Sequence, residues 1–510
     1  MSSSLNQKTL QVVVGVATVL TFLVLAPEIA VGSKQKEYIV DLEAFLLRVD
    51  STSVIFKDKG IREQWNEKKE YLRKHVRNCG TDSAFLELIQ EAFPCLRSEH
   101  VDFVGTRTPF NRKVEYYSGL SFVPVKADRV MITNVPKSLS KKIKPWSIVL
   151  AIDGIVAHTY LEERAKYVWD QGGCFSSPQR ALYFEYRLPL RGKRGSKHRL
   201  FVLSGGKKKK VTVRATKLAK GLPLTYNRPS GVLNYRDSFW CGELISTVGY
   251  MGFARIDEST GSRMKEAIDS CPDVKGWIID LRGCGGTVYN HALQRVVERM
   301  DDPTWVWNGA DSPGAIKRNR GNVLINEGDS DAFVRNPSAV LIDAGTSGAA
   351  ERMACDLIHL RQARVFGTPS AGSAAMTTKW TFPSEIATVS FPVRSHLCEE
   401  GYGLEYNGII PKDEDIVTAE RDHARLGLNS GIVRAEEYLL SVLGMLEMIE
   451  RAELLPGKIY HDEDEEDIFG DDEEECEEGP GNDQEETVDW EDDDWGEDED
   501  DQDNNGTNEE

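Results

Sequence analysis

The stretch VLIDAGTSGAAERM, Val340 to Met353, decides how this chain is to be read. An apolar run of strand type enters a turn of small residues and leaves as a helix. Many enzymes hold a nucleophile at such a step. Here the residue at the step is Gly348, with the hydroxyl of Ser347 beside it. The stretch raises the question of whether the chain is a serine hydrolase or the shell of one.

Working outward, strands and helices alternate from about Leu222. ELISTVGYMGFARI reads as strands, GSRMKEAIDSC as a helix, KGWIIDLRG as a buried strand and NHALQRVVERM as a helix. SAVLIDAG, AAERMACDLIHL and ARVFGTPS follow as strand, helix and strand. The alternation predicts an α/β domain over 222–453, broken by a polar loop at Trp307–Asp331 and closed by a helix at Ser430–Glu453. Upstream, 38–112 reads as helical: EYIVDLEAFLLRVD, IREQWNEKKEYLRKHV and DSAFLELIQEAF each carry apolar residues near a 3.6 period. Over 113–218 the pattern becomes short β-type runs, GLSFVPV, RVMITNV, SIVLAIDG, ALYFEYRLPL, RLFVLSG and KVTVRA, with TYLEERAKYVWDQ as a helix among them.

Charge is unevenly placed. The formal net charge of −20 arises in 461–510, which holds 29 acidic residues and no Lys or Arg. The other 53 acidic residues face 62 basic ones, so the body is near +9. That composition predicts a disordered acidic tail behind a mildly basic body. The basic run Arg191–Lys210 is a candidate for an intramolecular contact with the tail, or else a solvated hairpin. At the other end, VVVGVATVLTFLVLA (Val12–Ala26) predicts a signal peptide or membrane anchor within 1–32. Either places the body in the secretory pathway, extracellular or membrane-anchored. The nine cysteines show no metal-ligand spacing, and Cys79 with Cys95 is one conceivable disulfide. No nucleotide-binding loop, nucleic-acid module or calcium loop is found, so no cofactor, no metal and no nucleic-acid partner are expected. Nothing in the sequence sets an oligomeric state.

Several stretches, which occur along the chain in the family's order, resemble the tail-specific or C-terminal-processing serine peptidases. SGLSFVPV through RVMITNVPKSLSKKIKPWSIVLAIDGI resembles a PDZ domain, with Gly119-Leu120-Ser121-Phe122 as its carboxylate-binding loop. GWIIDLRGCGG resembles the family signature IDLRxNxGG, and VLIDAGTSGAAERMACDLIHLRQARVFGTPSAG resembles its nucleophile strand, helix and following strand. EYNGIIPKDEDI resembles its closing motif. Trp65 and LRSEHVDF resemble its N-terminal bundle, also found in interphotoreceptor retinoid-binding protein. The resemblance covers roughly 38–420. It implies a helical N-terminal region, a PDZ-like domain and a crotonase-like α/β domain that together bind polypeptide C-termini or unfolded protein.

Amide hydrolysis needs a nucleophile, a base and donors aimed at the oxyanion. By resemblance, the donors are the N–H groups of Gly285 or Gly286 and of Ala349. The family's nucleophilic serine stands three residues before the helix glutamate, but here the four residues are Gly348-Ala349-Ala350-Glu351. The family's lysine base falls on Ser373, and the alternative histidine on Ala375. Glu351 is retained. Ser347 is either a surrogate nucleophile or a helix cap. His396, Lys379 and Ser373 are either surrogate bases or ordinary strand residues. Cys284 is either a thiol nucleophile or an inert buried cysteine. The expectation is a serine-type endopeptidase-family protein with impaired or lost catalysis; the alternative is a non-catalytic binder of peptide or a small ligand.

Overall fold

The computed structural model describes residues 33–52, 56, 60–105, 115–125, 129–170, 175–218, 233–234, 239–244, 247–286, 308–309, 337–361, 363–395, 403–419 and 429–444. The expected leader, the acidic tail, the helix at NHALQRVVERM and His396 lie outside them.

Three helices lead: α1 (Ser33–Thr52), α2 (Arg62–His75) and α3 (Asp82–Gln90). Thr81 starts α3, its hydroxyl accepting from the Ala84 N–H at 3.2 Å. On the highly charged α2 only Trp65 and Leu72 are buried. Burial of Trp65 is tolerated because its indole N–H donates to Asp50 at 2.8 Å. The helices share their core with strands from far down the chain: Phe45, Trp65 and Phe85 pack with Phe382, Val389 and Phe391. Cys79 and Cys95 are both free thiols, so the conceivable disulfide is not formed.

The β-rich unit follows. Its strands are β1 (Ser121–Val125), β2 (Arg129–Asn134), β3 (Ile148–Ile152), β4 (Lys197–Ser204) and β5 (Lys207–Arg214), paired antiparallel in that order. Helices α4 (Ala157–Asp170) and α5 (Pro178–Arg187) lie between β3 and β4 in sequence. The second helix corrects the strand expected at ALYFEYRLPL. Its aromatic residues favour strands, but Ser177 and Pro178 form a strong helix start. The Ser177 hydroxyl accepts from the Arg180 N–H at 3.2 Å.

The α/β part contains β6 (Phe239–Glu243), β7 (Val248–Phe253), α6 (Thr260–Ser270), β8 (Gly276–Asp280), β9 (Ser338–Ile342), α7 (Ala349–Arg361) and β10 (Arg364–Gly367). Strands β7, β8, β9 and β10 are parallel neighbours, and β6 joins antiparallel to β7. Every residue of β8 and β9 is buried, as a sheet covered on both faces requires. Alternation sorts them: Ile279, Val340 and Ile342 meet α6 and α7. Ile278, Ala339 and Leu341 meet the closing helix α8 (Ser430–Val442) instead. A hairpin, β11 (Ala375–Thr381) with β12 (Thr388–Ser395), carries the surface on which α1–α3 pack. The segment around 416–419 bridges the two sheets, Ile416 pairing with Gly367 and Ala419 with Val125 of β1. The fold is mixed α/β, with several sheets and helical layers.

Candidate active-site region

The turn after β9 is held from below by one carboxylate. Asp343 accepts from the Gly283 N–H at 2.7 Å and the Gly345 N–H at 2.8 Å, tying it to the loop after β8. Thr346 adds a hydroxyl bond to the Leu281 carbonyl at 2.7 Å, and the Ser347 N–H donates to the Cys284 carbonyl at 2.9 Å. The two glycine-bearing loops of the sequence are therefore brought together, as the motifs implied.

At the step itself Gly348 has φ +60°, where a side chain is strained. Its N–H donates to the Ser373 carbonyl at 2.8 Å. A Cβ added there would overlap the carbonyl oxygen of Gly286. Gly285 and Gly286 pair with Arg255 and Ile256 as a short parallel bridge, and the group that Gly286 aims at the turn is an acceptor. An oxyanion hole needs donors at that point. Ala349, the third expected donor residue, is buried against Gly286 as the first residue of α7.

Glu351 is buried and collects four donors. The Ser370 hydroxyl lies at 2.6 Å, the Gly372 N–H at 2.7 Å, the Ser373 N–H at 2.8 Å and the Gly348 N–H at 3.2 Å. Burial pushes its pKa up to about 8, opposed by the donors from Ser370, Ser373 and Gly372. The bond from Gly348 is one arm of a capping box, so the helix is capped by its own third residue. Ser347 does not cap through its side chain. Among the described residues its hydroxyl has no hydrogen-bond partner, while its carbonyl accepts from the Ala350 N–H at 3.2 Å.

An imidazole that no motif in the sequence singles out stands beside this turn. His100 Nε2 lies 3.2 Å from both the carbonyl and the hydroxyl of Ser373, and 3.8 Å from Glu405. Ser98 supports the group: its hydroxyl donates to Glu405 at 3.2 Å and accepts from the His100 N–H at 3.3 Å. All three contacts fall on one ring nitrogen, whereas a general base turns one nitrogen to the hydroxyl and the other to its orienting carboxylate. LRSEHVDF and EYNGII carry His100 and Glu405, whereas the family pattern points to a base next to Gly372. The fold joins positions 273 residues apart, which no local spacing reveals.

The other candidates separate. Ser373 is buried, its hydroxyl also facing Glu99 at 3.5 Å. Lys379 is exposed on β11 opposite Ser390, and Ala375 opens the same strand. Cys284 is fully buried, and that burial raises its thiol pKa well above the ordinary value, helped by Asp280 and Asp343. It is the inert cysteine rather than a nucleophile.

In the β-rich unit, Gly119 takes φ +84° with Lys217 lying against it, while Leu120, Ser121 and Phe122 are buried. The Leu120 N–H is already engaged by the Ser118 hydroxyl at 3.3 Å. Beyond the loop, β1 is the end strand of its sheet. A cavity of about 280 Å³ runs beside it, walled by Phe122 and Val123 of β1, Leu182 and Tyr186 of α5, and Leu341 and Ile342 of β9.

Residues 247–415 match the model of peptidase family S41. The carboxy-terminal processing protease CtpA of Bacillus subtilis (strain 168) is 26% identical over 184 residues, which are 36% of this chain and 37% of that relative. The match therefore spans little more than a third of the relative's own length. The crystal structure of mature CPAF is similar in fold, with a TM-score of 0.54 at 14% identity, covering 81% of this chain and 97% of that one. Mature CPAF complexed with lactacystin gives a TM-score of 0.52 at 14% identity, covering 81% and 98%. The resemblance to C-terminal-processing peptidases is thus borne out beyond the motifs that first carried it.

Proposed function

We propose that this protein captures extended polypeptide C-termini and does not cut them. The observation that carries the reading is Gly348: the position that would bear a nucleophile has no side chain, and the Gly286 carbonyl fills the adjoining space. The hydroxyl within reach of the His100 imidazole belongs to buried Ser373, and Glu405 approaches the same ring nitrogen rather than the opposite one. A proton acceptor without an accessible nucleophile does not start acyl transfer.

Capture rests on the β-rich unit, which we read as PDZ-like. A peptide adding along the open part of β1 would gain main-chain hydrogen bonds, and its alternate side chains would enter the cavity between β1 and α5. The apolar walls favour apolar terminal residues. Lys217, against Gly119, supplies positive charge for the terminal carboxylate. Through its leader, the protein would meet such termini in the secretory pathway or at a membrane surface.

The test combines a serine-reactive phosphonate with peptide binding. No labelling of the full chain is expected, and peptides with a free apolar C-terminus should bind more tightly than their amidated forms. Stoichiometric labelling at Ser347, or hydrolysis lost on Ser347→Ala, would return the protein to the active peptidases. Equal binding of free and amidated peptides would remove the C-terminus reading.

A further inference from the structure

The β4–β5 hairpin is a concentrated basic surface unrelated to the site above. Lys207, Lys208, Lys209 and Lys210 are all exposed on β5, which ends its sheet. Register places Lys197 directly opposite Arg214, both exposed. Like charges facing each other across a hairpin are destabilising unless an anion offsets them. A second basic segment reaches the same hairpin: the Lys144 N–H donates to Ser204 at 3.3 Å, and the Lys144 ammonium lies beside Gly205 in the turn. Lys141 and Lys142 are exposed next to it, while buried Ile143 anchors the segment. Nothing in the linear sequence joins the 141–144 lysines to the 207–210 run. Among the described residues, Lys144, Lys197, Lys207, Lys208, Lys209 and Arg214 have no carboxylate within ion-pair distance.

We infer that this face docks the chain's own acidic segment, 461–510. Charge complementarity selects it: the segment has 29 acidic residues and no Lys or Arg, whereas the body is near +9. Reach is not limiting, since an extended chain covers roughly 3.3 Å per residue. Being tethered, the segment competes at an effective concentration on the order of millimolar. Each exposed pair contributes little, so the contact is a sum of many weak terms and yields to salt. An occupied hairpin is closed to other polyanions, including anionic membrane.

Zero-length carbodiimide cross-linking of the full chain, read by mass spectrometry, tests this at about 0.01 M and 1 M salt, where charges reach about 30 Å and 3 Å. Links from 461–510 should concentrate on Lys144 and Lys207–Lys209 within monomers at low salt and be largely lost at high salt. The exposed triple variant Lys197→Glu, Lys208→Glu, Arg214→Glu should lose them while keeping its melting temperature. Links spread evenly to distant lysines such as Lys34 and Lys68, links found only in dimers, or full occupancy of the face by anionic vesicles at low salt would each overturn the assignment.

Discussion

The carbonyl oxygen of Gly286 occupies the space into which a side chain on Gly348 would have to grow. Restoring the family serine by Gly348→Ser therefore meets two obstacles. The new Cβ overlaps backbone, and its φ of +60° costs an L-residue roughly 1–2 kcal/mol. The Gly286 peptide would also have to turn before any donor faced an oxyanion. Gly348→Ser is expected to melt earlier than the parent and to hydrolyse no peptide, as measured by urea titration and a fluorogenic substrate. Rapid turnover by this variant would mean that the turn relaxes freely, with His100 serving as its base.

Cys284 gives a simpler prediction. The thiol is wholly buried and its ionisation is suppressed by that burial. Iodoacetamide should leave it unmodified in the native protein and alkylate it once denaturant is added. Rapid native-state alkylation would show that the loop opens, and would reopen the thiol as a nucleophile.

Ser118 sets how well the β-rich unit reads a carboxylate. Its hydroxyl holds the Leu120 N–H at 3.3 Å, in the loop that would receive a peptide terminus. Ser118→Ala frees that donor, and a hydrogen bond to a charged group contributes about 1.5–3 kcal/mol. Free-terminus peptides should bind at least several-fold more tightly to the variant, with amidated peptides unchanged. If both peptides respond alike, the loop is not the carboxylate receptor.

What the sequence revealed and what it hid follow from the range of the interactions. Strands β8 and β9 were legible because burial on both faces writes a continuous apolar run. The empty step at Gly348 was legible because four consecutive residues define it. Helix α5 was misread because Tyr183, Phe184 and Tyr186 suggest a strand, while the deciding start signal at Ser177-Pro178 is brief. His100 was missed because its partners Ser373 and Glu405 come from segments 273 or more residues further along the chain. The sharing of one core by α1–α3 and the β11–β12 hairpin is hidden for the same reason.

Glu351 makes the site's stability depend on pH in an unusual direction. Burial raises its folded pKa from the ordinary 4.5 to about 8. Below pH 4.5 the carboxyl is protonated whether the chain is folded or unfolded, and its stabilising contribution is complete. Between pH 4.5 and about 8 the unfolded chain releases the proton while the folded chain keeps it, so stability falls as pH rises. The loss is on the order of a few kcal/mol, using about 1.4 kcal/mol per pKa unit. Other groups titrate in the same range, so the informative quantity is the difference between the parent and Glu351→Gln. The amide cannot ionise, and its –NH2 would face one of the N–H groups of Gly348, Gly372 or Ser373. Glu351→Gln should therefore be less stable at pH 5, with the gap narrowing steadily towards pH 8 in urea titrations. Parallel pH profiles for the two proteins would show instead that the four converging donors hold Glu351 ionised in the fold, and that the carboxylate rather than the acid is the form that locks the 370–373 loop to the turn.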